Sequence, residues 1–212
     1  MTSLAILDLG VGNIRSVFNA CSYLGTPPTV IDSSSLNNKF SHVILPGVGN
    51  FGQGSAALTD NIRCYLSEHI STGNALLGIC LGMQLLFDCS HEAEGEGLGF
   101  IPGTISKLDV FDQSLQLPRL GWKQVNYNDD YSGQLALPSQ RSRYYFVHSY
   151  GFVPSEAEIS HLDLKNYIAF DTTDGVNVTA TIEYNNIYGT QFHPEKSSVF
   201  GLDLLNSFLK NL

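Results

Sequence analysis

A chain of 212 residues with 43% hydrophobic and 15% charged residues has the composition of a globular protein, and residues 1–212 read as a single domain. Twenty acidic against eleven basic residues leave a formal net charge of −9. With no basic run, that balance argues against a nucleic-acid or anionic-membrane partner. No apolar run reaches membrane-spanning length, and Met1 to Asp8 lack the basic segment and cleavable stretch of a signal peptide. A cytoplasmic location is therefore expected. The four cysteines, Cys21, Cys64, Cys80 and Cys89, contain no Cys-x-x-Cys pair and no zinc-like histidine spacing. They are expected to be reduced thiols, with no metal and no cofactor.

In chain order, Leu4 to Asp8 is an apolar β-type run, followed by Gly10-Val11-Gly12-Asn13 and an amphipathic stretch with Ile14, Val17, Phe18 and Cys21 on one side. Strand, glycine turn and helix open an α/β unit. The third glycine of a dinucleotide fingerprint is missing, so nucleotide binding is not expected. Thr29 to Asp32 offers a second strand, Ser33 to Lys39 a loop, and His42 to Leu45 a third strand closed by Pro46-Gly47-Val48-Gly49-Asn50-Phe51-Gly52. That glycine-rich loop lacks the Lys-Ser/Thr ending of a phosphate loop and suits backbone N–H groups aimed at an oxyanion or carboxylate. A helical pattern runs from about Ser55 to Ile70. Ala75 to Cys80 is a buried strand, and Met83, Leu86 and Phe87 recur at helical spacing after it.

The second half reads as strand-rich. Strands are expected over Gly103–Val110, Lys123–Tyr127, Arg143–Val153, Asn166–Thr173, Val178–Tyr184 and Ile187–Phe192, with Asn185-Asn186 as a hairpin turn. Asp88 to Gly99 is acidic and reads as solvated loop, and Ser197 to Leu212 as an amphipathic helix.

Gly78-Ile79-Cys80-Leu81-Gly82 is the thiol form of the Gly-x-Ser-x-Gly turn that lifts a nucleophile out of a strand and onto a helix N-terminus. A thiol needs a base and a group that orients the base. Of six histidines, His42, His69, His91 and His161 lack a motif, and His148 reads as a structural residue alternating into a sheet. His193 differs. It ends a strand in Gln191-Phe192-His193-Pro194-Glu195-Lys196, where Pro194 breaks the ladder and Glu195 can return to one ring nitrogen. Cys80, His193 and Glu195 are the candidate catalytic group.

These motifs resemble the class I, triad-type glutamine amidotransferases, and among them the glutaminase subunits of imidazole glycerol phosphate synthase. The resemblance covers nearly the whole chain and rests on Asp8-Leu9-Gly10-Val11-Gly12-Asn13-Ile14-Arg15-Ser16, Leu45 to Gly49, Gly78 to Gln84, Tyr145 to Tyr150 and Gln191 to Lys196. It implies an α/β, flavodoxin-like fold, with a mostly parallel central sheet flanked by helices and an added antiparallel region in the C-terminal half. It implies that Cys80 attacks glutamine, His193 moves the protons and Glu195 orients His193. The backbone of Gly47, Val48 and Gly49 with the amide of Leu81 would hold the oxyanion. Gln84, Glu92, Ser149 and Tyr150 would bind the substrate. The implied partner is a (β/α)8-barrel cyclase that takes up the ammonia to form imidazole glycerol phosphate and an aminoimidazole carboxamide ribotide in histidine synthesis. Asn13, Arg119, Trp122, Lys123, Tyr145 and Lys196 would face that partner or its channel.

The family usually reads Pro-His-Met-Gly-Trp-Asn where this chain has Pro118-Arg119-Leu120-Gly121-Trp122-Lys123, and Asp-Tyr-Gly where it has Asp8-Leu9-Gly10. Two added cations at the expected docking strand leave open a paralogous glutaminase serving surface-polysaccharide sugars. A cysteine peptidase on the same scaffold and a silent binding module are the remaining alternatives.

Overall fold

The computed structural model describes residues 3–36, 39–112, 116–138, 142–165, 167–171 and 176–210. The expected strand over 166–173 and helix over 197–212 extend at 166, 172–173 and 211–212 outside the described residues, as does part of the 33–39 loop. The elements follow as β1 (Leu4–Leu7), α1 (Ile14–Tyr23), β2 (Thr29–Ile31), β3 (His42–Gly47), α2 (Phe51–Ala57), α3 (Asp60–Ser71), β4 (Ala75–Cys80) and α4 (Leu81–Gln84). After them come β5 (Cys89–Ser90), β6 (Thr104–Lys107), β7 (Arg119–Gln124), β8 (Asn126–Tyr127), β9 (Arg143–His148) and β10 (Tyr150–Gly151). The chain closes with α5 (Glu156–His161), β11 (Ile168–Asp171), β12 (Val178–Tyr184), β13 (Ile187–Thr190) and α6 (Ser198–Lys210).

The main sheet has the order β2-β1-β3-β4-β13-β12-β11-β8. Its first five strands are parallel and its last three antiparallel. The parallel part is the flavodoxin-like 2-1-3-4-5 order, with β13 in fifth place. The central strands are apolar throughout because helices cover both faces. One face packs on α1 and α6 through residues such as Val17, Leu205 and Phe208, the other on α2 and α3 through Phe51, Ile62 and Leu66. Two smaller sheets, β10-β6-β5 and the antiparallel ribbon β7-β9, sit beside this frame.

Several expected elements are subdivided. The helix expected over 55–70 is two helices, because Thr59 takes an extended backbone and its hydroxyl accepts the Ile62 N–H as the cap of α3. α4 is a single turn. The carbonyls of Leu85, Leu86 and Phe87 accept bonds from the Leu98, Phe100 and Gly99 amides, so the helix ladder is replaced by a long-range one. α5 is absent from the sequence reading, although Ser155 and Glu158 form a capping box.

Candidate active site

Cys80 ends β4 with φ 55° and ψ −110°, a backbone state that non-glycine residues seldom take. The flanking glycines make this turn possible. A Cβ on Gly82 would lie 1.7 Å from the Leu45 carbonyl oxygen, and one on Gly78 would lie 2.6 Å from that of Gly82. The strand thus turns straight against β3 and holds the thiol at the carboxyl end of the sheet. With only one turn in α4, the helix dipole is a minor support for a thiolate.

The register of the sheet brings the base to this thiol. β13 runs parallel to β4 with Thr190 opposite Ile79, so the residues after Thr190 pass the end of β4 where Cys80 stands. The His193 N–H donates to the Tyr145 carbonyl at 2.9 Å. Ser197 Oγ donates to the His193 carbonyl at 2.6 Å and accepts the Tyr145 N–H at 3.0 Å. His193 Nδ1–H donates to Glu195 Oε1 at 2.8 Å, with both side chains buried. The opposite nitrogen, Nε2, makes no hydrogen bond of full geometry among the described residues, and the Cys80 sulfur is the group that acts on it. Burial favours the neutral ring, but the Cys80 sulfur and the Glu195 carboxylate outweigh it and push His193 up to about 9. The His193 ring is therefore held protonated beside the Cys80 sulfur.

These residues border a cleft of about 150 Å³, lined by Val48, Gly49, Cys80, Leu81, Gln84 and Glu92 on one side and by Val147 to Tyr150 with His193 on the other. That is below the roughly 300–1,000 Å³ of drug-sized sites and suits a single amino acid. The structure brings Cys80, His193, Leu81, Gly49, Gln84, Glu92, Ser149 and Tyr150 together at this cleft, with Glu195 bonded to His193. Glu92 is no solvated loop residue. Its Oε2 accepts the Phe51 N–H at 2.7 Å, and its loop is tied to α2 and α3 through Ser55 and Arg63, which donate to the Glu96 carbonyl at 2.8 and 2.9 Å. Gln84 gives both N–H donors to protein acceptors, the Tyr150 carbonyl at 2.9 Å and Gln191 Oε1 at 3.1 Å. It braces the cleft wall more than it offers donors to a ligand.

Three sequence expectations change. The Val48 N–H donates to the Val11 carbonyl at 2.7 Å, so in this state it is not directed at an oxyanion. Arg119 is not a surface cation: it is 1% exposed and its guanidinium bonds Asp171 Oδ2 at 2.5 Å. It alternates with exposed Leu120 and Trp122, so the pleat of β7 turns it inward. Lys123 lies on the same inward side opposite Tyr144. His148 alternates into the ribbon and is buried, as its reading as a structural residue has it, and it also lines the cleft. Gln191 is a site residue that the sequence reading misses. It is fully buried, and its Nε2 lies 3.9 Å from the Cys80 sulfur. Its place two residues before His193 is the available signal.

Of the expected docking residues, Trp122 is exposed and meets Tyr145 edge-on at 6.2 Å, and Lys196 Nζ lies 6.0 Å from the Tyr145 ring centre. Exposed Leu120 and Val147, paired across the ribbon, extend this patch. Asn13 caps α1 by accepting the Ser16 N–H.

A strained strand-to-helix turn bearing a thiol, with a carboxylate-oriented histidine over it, defines a cysteine-dependent member of the α/β hydrolytic enzymes. The family model for class-I glutamine amidotransferase matches residues 5–212, and the chain belongs to that family. Its relatives are more particular. Imidazole glycerol phosphate synthase subunit HisH of Chlorobium luteolum is 40% identical, covering 96% of this chain and 97% of that one. The proteins of the same name from Methanothermobacter thermautotrophicus and Bacillus mycoides are each 38% identical, covering 98% and 97% of this chain and 98% and 93% of their own. Among solved structures, PurLQS from Thermotoga maritima shares the fold with a TM-score of 0.72 at 20% identity, covering 100% of this chain and 99% of that one. A solved structure of a glutamine amidotransferase gives 0.67 at 16%, with coverage of 99% of both chains. Among the described residues, no helix is long and apolar enough to cross a membrane.

Proposed function

We propose that this chain is the glutaminase subunit of imidazole glycerol phosphate synthase, working as one domain beside a (β/α)8-barrel cyclase in the cytoplasm. The observation that carries the chemistry is the Cys80–His193–Glu195 arrangement in a cleft of amino-acid size walled by Glu92. The shared name of the full-length relatives supports the pathway.

The Cys80 thiolate attacks the side-chain amide carbon of glutamine, and the C=O electron pair moves onto oxygen. The Leu81 N–H holds that oxyanion, joined by the Val48 N–H once it leaves the Val11 carbonyl. Collapse expels ammonia, which takes its proton from His193 Nε2, and leaves a thioester on Cys80. Water then attacks the thioester while His193 accepts its proton, and the C–S bond breaks to release glutamate and restore the Cys80 thiolate beside the protonated His193. Glu195 keeps the His193 ring in one orientation through both steps. The Glu92 carboxylate and the walls at Gln84, Ser149 and Tyr150 hold the substrate's α-substituents. Asn13, Trp122, Tyr145 and Lys196 border the partner and the ammonia path.

The test is glutamate release from glutamine with and without the cyclase and its ligand. Release is expected to be weak alone and to rise strongly with the partner. Full activity of the isolated chain would count against coupling, and no release in either setting would sink the glutaminase reading.

A further inference from the structure

A short chain of hydrogen bonds crosses the cleft wall and ends on the nucleophile. Gln191 follows the last residue of β13 and is fully buried, its backbone N–H donating to the Ala180 carbonyl at 2.9 Å. In extended chain alternate residues face one side, so Gln191 and His193 both reach Cys80 while Phe192 between them packs in the core. The Tyr150 carbonyl can only accept, and it takes Gln84 Nε2–H at 2.9 Å. That fixes the Gln84 amide, whose second N–H donates to Gln191 Oε1 at 3.1 Å. With its oxygen engaged there, the Gln191 amide presents its nitrogen to Cys80, and Nε2 lies 3.9 Å from the sulfur. We propose that Gln191 is a fixed N–H donor to the Cys80 sulfur in glutamine turnover, and that Gln84 is the positioning residue that sets its amide. The proposal rests on the glutaminase reading and deepens it.

Sulfur is a weak acceptor when neutral and a better one when it carries charge. A donor aimed at it therefore favours the two states in which the sulfur is negative. One is the thiolate that attacks the amide carbon. The other is the thiolate that leaves when the C–S bond of the thioester breaks and its electron pair returns to sulfur. His193 acts on the same sulfur, but its proton goes to ammonia in the first half of the reaction. An amide N–H does not ionise, so Gln191 keeps its donor through both halves. Because Gln84 has already set the direction of that donor in a buried site, nothing need reorient as charge returns to the sulfur.

The experiment measures the rate at which iodoacetamide alkylates Cys80 in the full chain as a function of pH, and kcat and KM for glutamine with the partner. Alkylation is read on the Cys80 peptide by mass spectrometry, so that the exposed Cys64 does not enter. Gln191→Met, close in volume but without the donor, is expected to alkylate about tenfold more slowly than wild type at pH 7. At alkaline pH, where the thiolate forms without help, the two rates should converge. Its kcat should fall about tenfold while KM stays within about twofold. Gln84→Met should slow alkylation at pH 7 in the same sense, and the double variant Q84M/Q191M should be no slower than Q191M, because Gln84 acts through Gln191. If Gln191→Met fails to fold, Gln84→Met carries the test, since it leaves Gln191 in place. An unchanged rate at pH 7 in either single variant would overturn the proposal. So would a rate that stays low at every pH, as a packing role alone predicts, additive losses in the double variant, or a rise in KM with kcat unchanged. If the wild type released no glutamate with the partner, the glutaminase reading would fall, and the alkylation arm would still decide whether Gln191 serves the sulfur.

Discussion

At the residue scale the site depends on two histidines held in opposite charge states. His193, raised to about 9, retains its proton in the folded state through the whole neutral range. Its contribution to stability is fully present below the ordinary value of 6.5 and fades as pH rises toward 9. His148, lowered to about 4, behaves oppositely: the unfolded chain takes up a proton that the folded chain refuses. Folding stability should therefore fall by roughly 3 kcal/mol between pH 6.5 and 4 from this ring alone. Urea midpoints across that range check this, with His148→Gln expected to flatten the acid limb. For Cys80→Ala, glutamine-dependent turnover should vanish while added ammonia still drives the partner reaction. Failure with ammonia as well would give Cys80 a structural role. The residues of the triad were legible because each stands in a local motif. Gln191 and His148 were not: Gln191 is marked only by its spacing from His193, and an imidazole on a strand does not show which cleft it will line.

At the element scale the turn between β4 and α4 is tightly constrained. A methyl on Gly82 would meet the backbone of β3 at 1.7 Å, and no side-chain rotation relieves a contact with a carbonyl. Gly82→Ala should cost about 3 kcal/mol or more, in the range of severe overpacking, and abolish turnover. Denaturant titration and glutamate release measure the two effects. An active, stable Gly82→Ala protein would show that the turn can relax. Periodicity foretold that an apolar helix follows Cys80, yet only one turn forms. Carbonyls that a local rule assigns to helix bonds are claimed by amides of the 98–101 segment, and a window of a dozen residues contains no trace of that competition.

At the scale of the whole molecule, one twisted sheet collects groups from distant parts of the chain onto the carboxyl ends of β3, β4 and β13. The β7–β9 ribbon beside them carries an exposed apolar stripe on its outer face. If that stripe meets the partner, Trp122→Ala should weaken association by about 2 kcal/mol, as buried aromatic anchors do. Calorimetric titration reads this directly. Glutaminase activity should return at saturating partner, whereas unchanged affinity would place the interface elsewhere.

The sequence by itself determined the α/β alternation, the glycine-framed thiol, the His-Pro-Glu orienter and the family they belong to. Each of these is a backbone or spacing constraint that acts over a few residues. Only the tertiary structure decided which side of a strand each flanking group would face. It turned Arg119 from an expected docking cation into a buried partner of Asp171, and assigned the Val48 N–H to Val11. Those outcomes depend on register and on which donor reaches which acceptor across tens of residues, a competition settled only when the whole sheet is assembled.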